Sequence, residues 1–106
     1  MILNDSSRVQ IKVSITSTTD PTGGTLTLEV DGTDYACTWD GAATQQGGQW
    51  VRQAHTNTFF AGPAVDSADL DGATVLGYGY HPTELRLMVN GTIVAKQCPA
   101  ITVRTE

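Results

Sequence analysis

The chain has 106 residues and a formal net charge of −5, with 40% hydrophobic and only 16% charged residues. Its six Lys and Arg residues are scattered, which argues against a nucleic-acid partner and against an anionic membrane surface. No apolar run approaches the roughly 20 residues of a membrane helix, and residues 1–7 resemble no signal peptide. The sequence predicts one domain that is made in the cytoplasm.

The first predicted strand covers residues 8–16. Apolar side chains occupy every second position there, from Val9 to Ile15, and polar residues lie between them. This period of two is typical of a half-buried strand. We therefore expect residues 1–7 to form an N-terminal arm and residues 8–106 to form a single β domain.

A first hairpin is predicted around Asp31-Gly32, because both central positions of a two-residue hairpin turn need positive φ. The expected register pairs Val30 with Thr33, Leu28 with Tyr35 and Leu26 with Cys37. This register places the apolar side chains of both strands on one face.

The middle of the chain gives weaker signals. Residues 40–48 are polar and contain glycine, which predicts a loop. Residues 49–54 are expected to form a strand that residues 58–60 continue, and residues 73–76 are expected to form a short strand.

A second hairpin is predicted in residues 84–96, turning on Asn90-Gly91. The expected register pairs Val89 with Thr92, Met88 with Ile93, Leu87 with Val94 and Leu85 with Lys96. One face then carries Leu85, Leu87, Val89 and Val94, and the other carries Met88, Ile93 and Ala95 beside Arg86. Because both faces are partly apolar, the hairpin is either central or in contact with a partner. Met88, Ile93 and Ala95 are therefore candidate interface residues.

The last predicted strand follows Pro99, where Ile101 and Val103 alternate with polar residues. A proline cannot donate to a sheet, so a bulge or an edge is expected at this point. Because no stretch has a sustained helical period, the predicted fold is an all-β, antiparallel sandwich of about seven strands.

Cys37 and Cys98 are the two cysteines, and they leave two alternatives. They form a disulfide across the sandwich, or they are two reduced thiols that behave as small hydrophobic residues. The lack of a signal peptide favours the reduced thiols. A zinc site needs about four ligands at close spacing and is not predicted.

No catalytic set is evident in the sequence. Nothing in the spacing of His55 and His81 brings them to a nucleophile, and no serine lies in a G-x-S-x-G motif. The acidic run in residues 66–72 lacks the acidic first ligand and the closing Glu of a calcium loop, so a solvated turn is expected. We predict no enzyme, no cofactor and no metal.

The aromatic residues have two interpretations. We expect Trp39 and Trp50 in the core, because aromatic side chains are its main filler. Tyr78 and Tyr80 lie in an irregular segment and are candidate interface residues on a surface loop, where they would contact a partner or a sugar.

The end of the chain resembles the last strands of immunoglobulin-like modules, through residues 73–76, 83–89, 93–95 and 99–103. Most of the chain is similar to small immunoglobulin-like proteins of tailed bacteriophages. The matching features are the strand up to Ile15, a strand ending in Trp39, and Phe60-Ala61-Gly62-Pro63.

The resemblance implies an immunoglobulin-like, fibronectin-III-like sandwich. It also implies a non-enzymatic virion component assembled in the host cytoplasm, most of all a capsid decoration or minor capsid protein. Its expected partners are the major capsid protein or tail and neck proteins, in a homo-oligomeric assembly. A tail or neck module and a domain that binds carbohydrate or a host surface are the alternatives.

Overall fold

The computed structural model describes residues 2–4, 9–62 and 74–104. These residues form eleven strands and no helix, so the described part of the chain has no helix that could cross a membrane. The strands are β1 (Ile2–Asn4), β2 (Val9–Ser17), β3 (Thr25–Val30), β4 (Thr33–Ala36), β5 (Thr38–Gln46), β6 (Gln49–Ala61), β7 (Thr74–Leu76), β8 (Gly79–His81), β9 (Thr83–Val89), β10 (Thr92–Gln97) and β11 (Ile101–Arg104).

The strands form three sheets. The β3 sheet has the order β10-β9-β3-β4, the β6 sheet has the order β2-β6-β5 with β7 also paired to β6, and the β11 sheet has the order β1-β11-β8. This all-β arrangement of mainly antiparallel sheets is compatible with a β-sandwich. Two pairings are parallel, β1 with β11 and β6 with β7, so the expectation of a wholly antiparallel fold is wrong for these short strands.

The structure has more strands than the seven expected. Two of the additional ones, β1 and β8, have three residues each and pair with the four-residue strand β11, whereas β7 is the short strand predicted at residues 73–76. Segments this short carry almost no alternation, so their pairing depends on the rest of the fold. Ile2–Asn4 pairs with Ile101–Arg104, and part of the segment predicted as an arm is therefore a strand.

One hydrophobic core joins the three sheets. The side chains of Leu28, Leu87 and Ile101, each from a different strand, are 0% exposed, and Phe59 from β6 is 1% exposed. Full burial of such a side chain contributes about 1.5–3 kcal/mol. Tyr35 packs edge-on against Phe59 with ring centroids 5.0 Å apart, which closes the core on the side of β4.

The first hairpin has the predicted register. Val30 lies opposite Thr33 and Leu28 lies opposite Tyr35, and the Cys37 N–H donates to the Leu26 carbonyl at 2.9 Å. Asp31 and Gly32 have φ values of 52° and 85°, so both turn residues are in the left-handed region.

The second hairpin starts in the predicted register and then departs from it. Thr92 lies opposite Val89 and Ile93 opposite Met88, but Ala95 lies opposite Leu87. The predicted pairing of Leu87 with Val94, and of Leu85 with Lys96, is wrong because Val94 is the extra residue of a β-bulge. The bulge allows both Val94 and Ala95 to pack against the core. Ala95 is therefore not on the outer face with Met88 and Ile93.

Residues 40–48 are not a loop. They form most of β5 and a two-residue turn at Gly47-Gly48, whose φ values are 60° and 81°. β5 lies at the edge of the β6 sheet, and most of its side chains are exposed on both faces. Its sequence is therefore polar throughout and lacks the alternation that indicates a strand. A register shift between Asp40 and Thr44 interrupts the pairing of β5 with β6.

The two tryptophans lie on this β5–β6 hairpin. Both were expected in the core, but each is only partly buried. Trp39 packs on the margin of the core, and its Nε1 donates to the Gly24 carbonyl at 3.0 Å. The Arg52 guanidinium lies 4.5 Å from the Trp39 ring centroid, and its Nε donates to the Gly41 carbonyl at 2.9 Å. Trp50 is half-buried and lies opposite Ser17 on β2 and Gln45 on β5.

Candidate functional site

The first candidate surface is an apolar pair on the outer face of the β3 sheet. Met88 and Ile93 lie opposite each other on β9 and β10 and are 37% and 43% exposed. Thr25 is the next residue in the same row, on β3. The inner face of these strands already packs in the core, so the apolar pair adds nothing to it. The role of Met88 and Ile93 as interface residues stays a prediction.

A charged network adjoins the apolar pair on the same outer face. The Arg86 guanidinium binds the Asp34 carboxylate by a hydrogen bond and lies 3.5 Å from Glu29 Oε1 and 3.8 Å from Glu84 Oε1. Lys96 Nζ lies 4.0 Å from the same Glu84 oxygen. The network spans all four strands of the sheet. Its charges largely compensate one another, so the face offers little net attraction for a nucleic acid.

The second candidate surface is the tyrosine face, formed by Tyr78, Tyr80 and Ile2. Tyr80 is 66% exposed, Ile2 59% and Tyr78 45%. Thr102 on β11 lies opposite both Ile2 on β1 and Tyr80 on β8, so these three residues form one row across the sheet. The predicted surface loop at Tyr80 is in fact a short strand. The predicted contact of Tyr78 and Tyr80 with a partner stays a prediction.

Next to the tyrosine face, His81 joins two parts of the chain. Its Nδ1 lies 2.6 Å from Asp31 Oδ2, in the turn between β3 and β4, and its Nε2 lies 2.7 Å from the Gly77 carbonyl oxygen. Burial disfavours the charged ring, but the Gly77 carbonyl and the Asp31 carboxylate outweigh it and raise the pKa of His81. The Asp31 N–H also donates to the Pro82 carbonyl at 3.1 Å, which brings turn and strand together.

His55 has a different kind of acidic partner. Its Nδ1 lies 2.6 Å from Asp40 Oδ1, and the two residues belong to neighbouring strands of one hairpin. This pair therefore connects residues that the β5–β6 ladder already holds together. It provides an internal comparison for His81, whose acid lies fifty positions away.

Both cysteines are free thiols. Cys37 follows β4 and Cys98 follows β10, and these strands are the two opposite edges of the β3 sheet. Three strand spacings, about 14 Å, separate such edges, well beyond the reach of a disulfide. Burial raises the pKa of the Cys37 thiol to about 11, which keeps it protonated and unreactive at neutral pH.

The described residues contain no group of three or more His, Cys, Asp or Glu side chains that could hold a metal ion. The acidic run of residues 66–72, which the sequence predicts to be a solvated turn, lies outside the described residues. Comparison with models of protein families finds no match, and comparisons with curated proteins and with solved structures find none either.

Sequence reasoning missed both pairs of His and Asp. His55 is indicated by no motif, and its pairing with Asp40 requires β5, which the sequence did not predict. The pairing of His81 with Asp31 requires the relative positions of two sheets. Only the location of Asp31 in a tight turn was visible in the sequence.

Proposed function

We propose that this chain is an immunoglobulin-like structural domain of a tailed-bacteriophage particle, a capsid decoration or minor capsid protein that binds and reinforces the shell. The observation that carries the proposal is the exposed apolar pair of Met88 and Ile93, on the outer face of a sheet whose inner face is already buried. The resemblance to small phage proteins supplies the class of partner. A neck or tail location is the alternative within this class.

The outer face has the features of a docking surface. The apolar pair lies beside the network around Arg86, whose charges are already paired and so lose less on desolvation than isolated ones would. An interface of this kind combines a small apolar centre with a polar rim. The face belongs to four paired strands, which makes it rigid, and a rigid surface loses little entropy on binding.

The experiment begins with the gene neighbourhood, where the proposal expects capsid, portal or tail genes. Shells assembled from the neighbouring capsid gene are then mixed with the purified chain and sedimented. We expect the chain to sediment with the shells and the double variant Met88→Ser/Ile93→Ser to stay in the supernatant. The control is Ile2→Ser, which removes an even more exposed apolar side chain from the β11 sheet.

Two results would contradict the proposal. One is a wild-type chain that binds neither shells nor isolated necks and tails. The other is a double variant that sediments as well as the wild type; if Ile2→Ser loses binding in that case, the interface lies on the tyrosine face instead.

A second candidate function is recognition of a glycan or a host surface through the tyrosine face. The observation that favours it is the exposure of Tyr80, the highest among the large hydrophobic side chains of the described residues. Exposed aromatic rings pack on the apolar faces of sugars. A glycan array should then show selective binding that Tyr80→Ala abolishes and Met88→Ser leaves unchanged. A blank array removes this candidate.

A further inference from the structure

His81 is placed to respond to pH, because both of its ring nitrogens face acceptors. Asp31 Oδ2 lies 2.6 Å from Nδ1, and the Gly77 carbonyl oxygen lies 2.7 Å from Nε2. A carboxylate and a carbonyl only accept hydrogen bonds, and a neutral imidazole has one N–H to donate. Both contacts are satisfied together only by the imidazolium form, which carries a proton on each nitrogen.

We propose that the protonation state of His81 controls whether residues 77–78 are held in place. As an imidazolium, His81 holds β8 and residues 77–78 to the turn between β3 and β4. On losing a proton, it releases residues 77–78. The released contact is the one to Gly77. The remaining N–H stays with Asp31, because a hydrogen bond to a charged acceptor is the stronger one. The Nε2 lone pair then faces the Gly77 carbonyl oxygen and repels it.

The surroundings of His81 are consistent with this role. Its side chain is 12% exposed, so water substitutes poorly for a lost partner. Among the described residues, Asp31 supplies the charge that acts on the ring. The Gly77 carbonyl contacts the ring as well, and across the ladder His81 lies opposite Ile101 of β11, which is buried and uncharged.

The direction of the pH effect follows from the folded-state pKa of His81, which lies above the ordinary histidine value of 6.5. The stabilising contribution is fully present below 6.5 and is lost as the pH rises through the higher folded-state value. Residues 77–78 should therefore be held in mildly acidic solution and released in mildly basic solution. Tyr78 and Tyr80 flank these contacts, so the tyrosine face changes with the proton, whichever function it serves.

The test is amide hydrogen exchange of residues 77–81, corrected for intrinsic rates, at about pH 5 and about pH 8. We expect these amides to lose protection at the higher pH, while the amides of β3 and β9 keep theirs. NMR titration of the ring should show His81 protonated on both nitrogens at the lower pH. His55→Gln leaves one histidine for assignment and should change neither result.

Asp31→Asn is the decisive variant, because Asn tolerates the left-handed backbone and Asn90 already occupies the equivalent turn position. It should lower the pKa of His81 and remove the pH dependence of exchange at residues 77–81. His81→Gln, which does not titrate, should also remove that dependence. The proposal is overturned if wild-type protection is the same at both pH values, or if the His81 titration is unchanged in Asp31→Asn.

Discussion

The hairpins β3–β4 and β9–β10 share their turn chemistry and then differ in register. Asp31-Gly32 and Asn90-Gly91 both have two consecutive positive φ values, and in each case the first opposed pair comes directly after the turn. The first hairpin keeps its register, whereas the second gains an extra residue at Val94. A two-residue turn therefore fixes the pairing next to it, and packing against the core determines the pairing farther along the strands.

The environment of the two turns also differs. The Asp31 turn contacts the neighbouring sheet through His81 and the Pro82 carbonyl. The Asn90 turn is exposed and lies next to the apolar pair of Met88 and Ile93. Both turns are therefore exposed, but the Asp31 turn is held by hydrogen bonds to His81 and Pro82, whereas the Asn90 turn adjoins the exposed apolar pair.

The largest expected effects come from the shared core. Leu28→Ala and Leu87→Ala should each lower the free energy of unfolding by about 2–5 kcal/mol, because both side chains are 0% exposed and leave cavities. Denaturant unfolding measures this loss, with Ile93→Ala as the exposed control. A much smaller loss for Leu87→Ala would mean that the second hairpin does not share the core of the first.

A second prediction concerns Gly24, where the chain between β2 and β3 passes close to the second hairpin. An added Cβ would lie 2.9 Å from the Met88 carbonyl oxygen and 3.0 Å from Val89 Cγ2. Gly24→Ala should therefore cost about 1–3 kcal/mol in thermal or denaturant unfolding. Gly77→Ala is the control, since its added Cβ meets nothing within 4 Å. Equal losses in the two variants would refute this packing argument.

The bulge itself can be tested by deleting Val94. The pairs of Ile93 with Met88 and of Ala95 with Leu87 would then be consecutive, as in a regular hairpin. We expect the same cross-strand contacts in NMR spectra and a loss of about 1–2 kcal/mol, because a half-buried valine no longer packs on the core. If Ile93 instead moves out of register with Met88, the bulge is needed to set the register of the hairpin next to the turn.

The smallest effects should come from exchanging the turn residues. Asn90→Asp should change the free energy of unfolding by less than about 0.5 kcal/mol, because the turn is exposed. Asp31→Asn should cost at most about 1 kcal/mol, since the Asp31 side chain is 49% exposed to solvent screening. That cost should be larger near pH 5 than near pH 8, as unfolding at both values will show. A pH-independent cost would assign the loss to the turn alone.

The strong signals in the sequence were local. Alternation and Asx-Gly turns correctly predicted β2, both hairpins and the start of each register. They failed at β5, where solvent faces the strand on nearly all sides and alternation disappears. They also failed at Val94, because a bulge depends on how the core accommodates an extra residue.

The candidate surfaces were predictable only in part. Met88 and Ile93 were expected on the outer face, and the structure places them there. They form the second opposed pair after the Asn90 turn, where the turn still determines the register. Ala95 lies beyond the bulge, so its predicted face was wrong. The contacts of His81 join residues from distant parts of the chain, and no local pattern encodes such a meeting.

The adjacency of β3 and β9 has a consequence for how the chain folds. Thr25, in the first quarter of the sequence, pairs with Met88 near its end. The two hairpins can each form within about 1–10 μs, but joining them requires closure of a long loop before any contact compensates the lost entropy. Refolding should therefore occur on the millisecond-to-second timescale of high-contact-order β proteins. The amides of the edge strands β4 and β10 should gain stable protection from exchange only after β3 has paired with β9.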